Sequence, residues 1–204
     1  MSTPSLFETD ELVLPVPRLP DQATLAAALR GRHSQRTFAP QPLHIEDLSA
    51  LLWSAFGVNR PGSGGRTAPS AHGWQEVDVY AVLPEGTYRY DAQPHRLVPV
   101  KGEDLRPLTG LQDFVGTAPL NLVYVVDFAR MQGVREEDRT FLAGADTGAI
   151  VENVYLYCAS AGLATVVRGL VDRKRLARAL GLSPTQRIAL AQTVGYPEAP
   201  ELTH

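Results

Sequence analysis

Two hydrophobic periods alternate along this chain, and the points where one gives way to the other mark its elements. After a proline-rich opening, the Ala/Leu-rich run from Thr24 to Arg30 reads as a helix over about 22–31 that closes near Gly31. Leu48, Leu51, Leu52, Ala55 and Phe56 fall at helical spacing and predict a second helix over 45–56. Glu46 and Asp47 lie in its first turn, where the helix dipole favours acidic groups. The β-branched run Val77-Asp78-Val79-Tyr80-Ala81-Val82-Leu83 reads as a strand, and 87–90 with 96–100 as a hairpin turning at 91–95. A short helix is expected over 104–111, and the apolar run 119–126 suits a buried central strand. The longest helical pattern covers 136–161, with Leu142, Ala145, Ala149, Ile150, Asn153, Val154, Tyr157, Cys158 and Ala161 in phase and Gly162 as its stop. A strand at 165–167, a basic helix at 172–180 and a last strand at 188–194 complete the chain.

Some of these strands are joined by a hairpin and others by long helices, which points to an α+β domain with a mixed sheet flanked by helices rather than a doubly wound parallel fold. Residues 1–20 carry four prolines and read as an extended arm, leaving 21–204 as a single domain. The long helix gathers small residues (Ala143, Gly144, Ala145, Gly148, Ala149) in its first half, where a second backbone, a subunit partner or a planar ligand could approach closely. Residues 57–73, from Gly57 through Gly64-Gly65 to Gly73, are too rich in glycine for a regular element and read as a long loop that is either functional or mobile. This loop lacks the Gly-Lys-Ser/Thr of a phosphate-binding P-loop and fits no dinucleotide fingerprint.

Composition narrows the partners. The 204 residues are 44% apolar, enough for a substantial core, and the net charge of −3 comes from mixed signs. No strong basic footprint for nucleic acid or an anionic membrane appears, and the run Arg173-Lys174-Arg175 reads as a solvated helix face. The single cysteine, Cys158, excludes an intrachain disulfide and reads as a packed core thiol. No basic-then-apolar leader opens the sequence and no run of about 18 apolar residues is present, so a soluble cytoplasmic protein is expected. The five histidines are scattered, so no metal site is expected, and no Gly-x-Ser-x-Gly elbow points to a serine hydrolase.

The stretch Arg32-His33-Ser34-Gln35-Arg36-Thr37-Phe38 carries the most chemistry. Two guanidinium groups flanking a serine suit a multiply charged anion such as a phosphate ester. The same stretch also reads as a solvated cationic helix end. Together with the glycine-rich loop and the small-residue helix, it outlines a cleft for a large planar phosphorylated cofactor that would supply the chemistry itself.

Four motifs in order resemble the FMN-dependent nitroreductase-like flavoproteins, in a flavour close to the azoline-forming dehydrogenases. They are Arg32 to Phe38, Pro69-Ser70-Ala71-His72-Gly73 with the strand that follows, Asp146-Thr147-Gly148-Ala149 through Gly162 to Gly169, and Val194-Gly195-Tyr196-Pro197. The resemblance implies a nitroreductase-like α+β homodimer with FMN between the subunits. Arg32, His33, Ser34 and Arg36 would hold the phosphate, ribityl chain and pyrimidine edge. Pro69, Ser70, Ala71 and His72, from the other subunit, would meet the isoalloxazine edge. Val167, Arg168 and Gly169 would line the ring near the hydride-accepting nitrogen. His72 is a candidate proton donor, and an Arg168 guanidinium facing the ring would raise the flavin potential.

Three departures are visible. Gly73 stands where many members carry Asn, Arg168 stands where small or apolar residues are common, and the residues after Pro197 include no Lys-x-Arg pair, which leaves Arg60 or Arg66 to compensate. The activity implied is ping-pong reduction of nitroaromatic or quinone-like acceptors by NAD(P)H. Flavin-dependent oxidation of azoline-type substrates is an alternative, weakened because Lys101 and Lys174 are the only lysines and neither sits in a Lys-x-x-x-Tyr pair. A non-catalytic flavin-binding relative is a second alternative.

Overall fold

A computed structural model describes residues 11–198 of the chain. Nine strands and four α-helices follow in the order β1 (Leu12–Val13), α1 (Leu25–Gly31), α2 (Ile45–Phe56), β2 (Val58–Arg60), β3 (Gly65–Arg66), β4 (Val77–Leu83), β5 (Gly86–Asp91), β6 (Arg96–Lys101), β7 (Leu120–Asp127), α3 (Glu136–Ala161), β8 (Ala164–Arg168), α4 (Arg173–Leu180) and β9 (Gln186–Gly195). Seven of the strands form one sheet in the order β1-β6-β5-β4-β7-β9-β8, and β2 pairs with β3 alone. The α+β class holds. Every described ladder is antiparallel, so what is mixed is the alternation of helices and strands, not the strand directions.

The central strands are apolar at nearly every position because both faces of the sheet are covered. Val77, Val79 and Ala81 of β4 and Leu120, Leu122, Tyr124 and Val126 of β7 pack on the face shared with α2 and α3. Tyr80 and Val82, with Val123 and Val125, pack on the opposite face against Leu176 and Leu180 of α4. Local chemistry sets the helix ends. The Thr24 hydroxyl caps α1 by accepting from the Ala27 N–H, and Asp172 caps α4 through Arg175. Glu136, Glu137 and Asp138 occupy the first turn of α3, and Gly162 ends it at φ 69°, a left-handed conformation that only glycine adopts without strain.

Three expectations change. The loop 57–73 contains the short β2–β3 ladder and ends in a 3-10 turn over Ala71–Gly73. The helix expected over 104–111 shrinks to a 3-10 turn at Arg106–Leu108, because the Leu108 and Thr109 N–H groups close on the Leu105 and Arg106 carbonyls three residues back and the Leu111 N–H is drawn to the Leu170 carbonyl. Within the opening arm, β1 pairs with β6 and Leu14 is buried. The Ser49 hydroxyl then fastens the arm by donating to the Pro15 carbonyl at 2.6 Å. Residues 1–10 of that arm, and the cation-poor tail after Glu198, lie outside the described residues.

Candidate functional site

The segment that follows α1 runs along the free edge of β8. The Gln35 N–H donates to the Thr165 carbonyl at 2.9 Å, and further on the Ala39 N–H donates to the Tyr196 carbonyl at 2.9 Å. This docking fixes the backbone from which Arg32, Ser34 and Arg36 project. Tyr155, buried on α3, joins the parts. Its hydroxyl accepts from the Val167 N–H at 2.9 Å and lies 2.8 Å from the Ser34 hydroxyl. Its ring lies 5.1 Å below the Arg32 guanidinium, a cation–π contact. When Tyr155 donates to Ser34, the Ser34 proton is left to point at a ligand. Neither Arg32 nor Arg36 makes an ion pair among the described residues. Two cations and a hydroxyl donor on one exposed ledge can accept an anion of phosphate type. His33 is exposed, and its Nδ1 is occupied 2.7 Å from the Gly31 carbonyl oxygen.

The Pro69–His72 loop sits elsewhere on the same protomer. Its Ala71 N–H donates to Asp146 Oδ2 at 2.7 Å. Asp146 and Tyr155 are nine residues apart on α3, which is about 14 Å along the axis and two and a half turns around it, so they face opposite sides. Within one protomer the two halves of the sequence-predicted site are therefore not brought together. His72 is exposed in a left-handed conformation at φ 52°, with its ring stacked on Trp74 at 4.4 Å. Trp74 packs partly against the main core and anchors the loop. A cleft of about 750 Å³ between the first half of α3 and the start of β9, lined by Phe128, Arg139 and Arg187 among others, contains none of the sequence-predicted residues.

Arg168 requires a correction. Its side chain is 4% exposed and turned into the fold, not towards a ring-binding face. The guanidinium donates to the Thr109 carbonyl at 2.7 Å, Asn121 Oδ1 at 2.8 Å and Thr193 Oγ1 at 3.0 Å. It also lies over the Phe114 ring. No carboxylate among the described residues neutralises it, and burial lowers its pKa to about 10, which still leaves it charged at neutral pH. The role expected of its side chain at the flavin is withdrawn; only its backbone stays near the ledge. Arg66 is likewise committed, to Gln75 Oε1 and the Phe56 carbonyl, and Arg60 to the Arg66 carbonyl. Gly169, next to the ledge, is exposed. Burial pushes the Cys158 thiol well above its ordinary range, so it is an inert core group.

Two functional candidates were not singled out from the sequence. Tyr155 could have been flagged because a tyrosine on a buried helix face needs a partner for its hydroxyl. Glu76 stands at the start of an apolar strand and has no exposed surface.

Along the terminal strand of this α+β sheet run two arginines outside every described ion pair, a set suited to an anion. The model of the "Nitroreductase family" matches residues 29–196, so the chain belongs to that family. It is similar to the crystal structure of a "putative nitroreductase" from Ralstonia eutropha, with 44% identity and a TM-score of 0.90 over 98% of this chain and 95% of that one. A protein of Methanocaldococcus jannaschii named "Putative nitroreductase MJ1384" is 29% identical over 164 residues, which cover 74% of this chain and 82% of its own. The fold also matches an NADPH:FMN oxidoreductase from Vibrio harveyi complexed with NAD+, at 19% identity and a TM-score of 0.63 over 86% of this chain and 69% of that one. As a member of this family the chain is an oxidoreductase. No helix among the described residues is long and apolar enough to cross a membrane.

Proposed function

We propose that the chain is an FMN-dependent oxidoreductase that works as a homodimer and uses NAD(P)H to reduce nitroaromatic or quinone-like acceptors by a ping-pong cycle. The observation that carries this reading is the Tyr155-anchored Ser34 with Arg32 stacked on the same tyrosine ring and the exposed Arg36 two residues on, neither arginine in a described ion pair. This set fits a flavin mononucleotide: the guanidiniums suit the phosphate and the ring carbonyls, and Ser34 suits the ribityl or phosphate oxygens. The nicotinamide and flavin in the description of the Vibrio harveyi protein are carried to this chain as part of the proposal. Bound there, FMN would take a hydride from the reduced nicotinamide and pass electrons on to the acceptor.

The residues of the chain supply the rest. Arg32 and Arg36 neutralise the cofactor's anionic end. Tyr155 holds Ser34 and β8 in register. The Pro69–His72 loop of a second copy would close over the ring, which is how halves that lie apart in one protomer would meet. Support for the second copy comes from large apolar side chains left exposed on two helices, Leu25 and Leu29 on α1 and Phe141 on α3, the last on the same helix face as the exposed Gly144, Ala145 and Gly148. A cytoplasmic location belongs to the same proposal.

The test begins with cofactor extraction and mass identification on purified protein, followed by light scattering for the oligomeric state. A yellow dimer that releases FMN and bleaches with NADH or NADPH is expected. Colourless protein that does not quench FMN fluorescence would overturn the reading. Yellow protein inert to NAD(P)H that oxidises an azoline peptide would transfer the assignment to the oxidase.

A further inference from the structure

Beneath the Pro69–His72 loop lie two buried carboxyl groups with no cation between them. Glu76 is 0% exposed and Asp146 is 8% exposed. The Ser70 hydroxyl donates to Glu76 Oε2 at 3.1 Å and also accepts from the Gln75 N–H at 2.8 Å. Asp146 Oδ2 accepts from the Ala71 N–H at 2.7 Å. Glu76 Oε1, by contrast, receives no N–H or O–H from any described donor, and the adjacent Ser70 and Ala71, one bonded to each carboxylate, hold the Asp146 carboxyl beside it. Two carboxylates this close, shielded from water, cannot both stay ionised, and the arrangement is satisfied when one proton lies between them.

The surrounding charges offer no other neutralisation. Ser70 faces Glu76 from the loop and Asp146 faces it from α3. From β7, Asp127 engages only the Glu76 backbone carbonyl. Arg66 reaches the Gln75 side chain, and Arg130 reaches the Gln75 carbonyl and Asp78. No described ion pair includes Glu76 or Asp146.

We propose that Glu76 and Asp146 share a single proton and that this proton clamps the loop of residues 69–75, making Glu76 a positioning residue for the segment that closes on the cofactor. With the proton present, Glu76 bridges Ser70 to Asp146, and Asp146 holds Ala71. Without it, the two carboxylates repel, and the bonds to Ser70 and Ala71 pull against each other. Trp74 and Gln75 are held from outside the pair, but the Ser70–Ala71 turn is tied to the fold through these two carboxyls, and His72, Gly73 and Gln75 hold positive φ. The placement of this loop over the cofactor rests on the functional reading above; the proton-sharing pair does not.

The experiment is therefore carried out on full-length protein without added flavin. Carboxyl 13C resonances of Glu- and Asp-labelled protein are followed with pH, together with hydrogen exchange at the Ala71 and Gln75 amides, corrected for intrinsic rates. One carboxyl step near pH 7 is expected, accompanied by at least a tenfold loss of protection at both amides. Glu76→Gln, which keeps the bridge without a titrating proton, should make that protection independent of pH. Titration of both groups in the ordinary carboxylate range would overturn the proposal, and so would a step near pH 7 that leaves both amides unchanged. Should the protein prove free of flavin while this step and its loop response persist, the functional reading fails and the clamp stands.

Discussion

Arg168→Met separates two roles for one guanidinium. The native group makes three hydrogen bonds of 3.0 Å or shorter, to Thr109, Asn121 and Thr193. Asn121 Oδ1 keeps a donor after the substitution, because the Thr193 hydroxyl also reaches it at 2.6 Å. The Thr109 carbonyl loses its charged donor. Each charge-assisted bond is worth roughly 1.5–3 kcal/mol, and part of the sum is returned because a cation without a counter-ion no longer has to be buried. A net loss of about 3–5 kcal/mol follows, or a fall in Tm of roughly 10 °C for a chain of this length. Arg168→Lys should fall between the two, since it keeps the charge but not the fork. Urea unfolding measures the loss, and a redox titration of flavin-loaded protein supplies the second reading. The midpoint potential should hardly move, because the side chain is turned away from the ledge. A variant as stable as the parent, with a potential lowered by tens of millivolts (30 mV is about 1.4 kcal/mol for two electrons), would refute the reasoning and restore the guanidinium to the ring.

Tyr155→Phe removes one acceptor for the Val167 N–H and one partner of Ser34, so a stability loss of about 1–2 kcal/mol is expected by thermal denaturation, with several-fold weaker FMN binding by fluorescence titration. Arg32→Ala and Arg36→Ala should each weaken FMN by roughly 10- to 100-fold with little change in Tm, and added salt should narrow the gap from the parent. Stability should depend on Glu76, whose pKa burial raises from 4.5 to about 7. The folded protein keeps a proton that the unfolded chain releases, so unfolding free energy should fall as pH rises from about 4.5 to 7, by up to about 3 kcal/mol, and level off above. Glu76→Gln should flatten that slope in urea titrations across pH, and a slope equal to the parent's would assign it to other groups.

Much of the architecture could be read from residue order because it rests on local rules. The 45–56 and 136–161 helices declare themselves through apolar spacing, acidic first turns and, for the longer one, Gly162. The strands at 77–83 and 120–127 do so through valine-rich, largely apolar runs. The Arg32–Arg36 cluster stands out in the sequence as two cations flanking a hydroxyl, although residue order alone leaves a solvated helix end equally open. What stayed hidden depends on distant partners. The inward turn of Arg168 requires Thr109, Asn121 and Thr193, which belong to three separate parts of the chain. Pairing of Glu76 with Asp146 requires a helix seventy residues away to bring the second carboxyl. The strand at 12–13 carries too few residues to show a period, and it exists because β6 offers an edge.

That short strand and the 32–36 segment share a duty at opposite ends of the sheet. Unclaimed main-chain groups on a terminal strand invite pairing with another molecule. At one end β1 covers β6; at the other, Gln35 and Tyr155 take up the outward Thr165 carbonyl and Val167 amide of β8. Damage to the 32–36 segment therefore threatens more than ligand capture: it bares a strand, and insolubility in such variants would be a direct result of their lost chemistry.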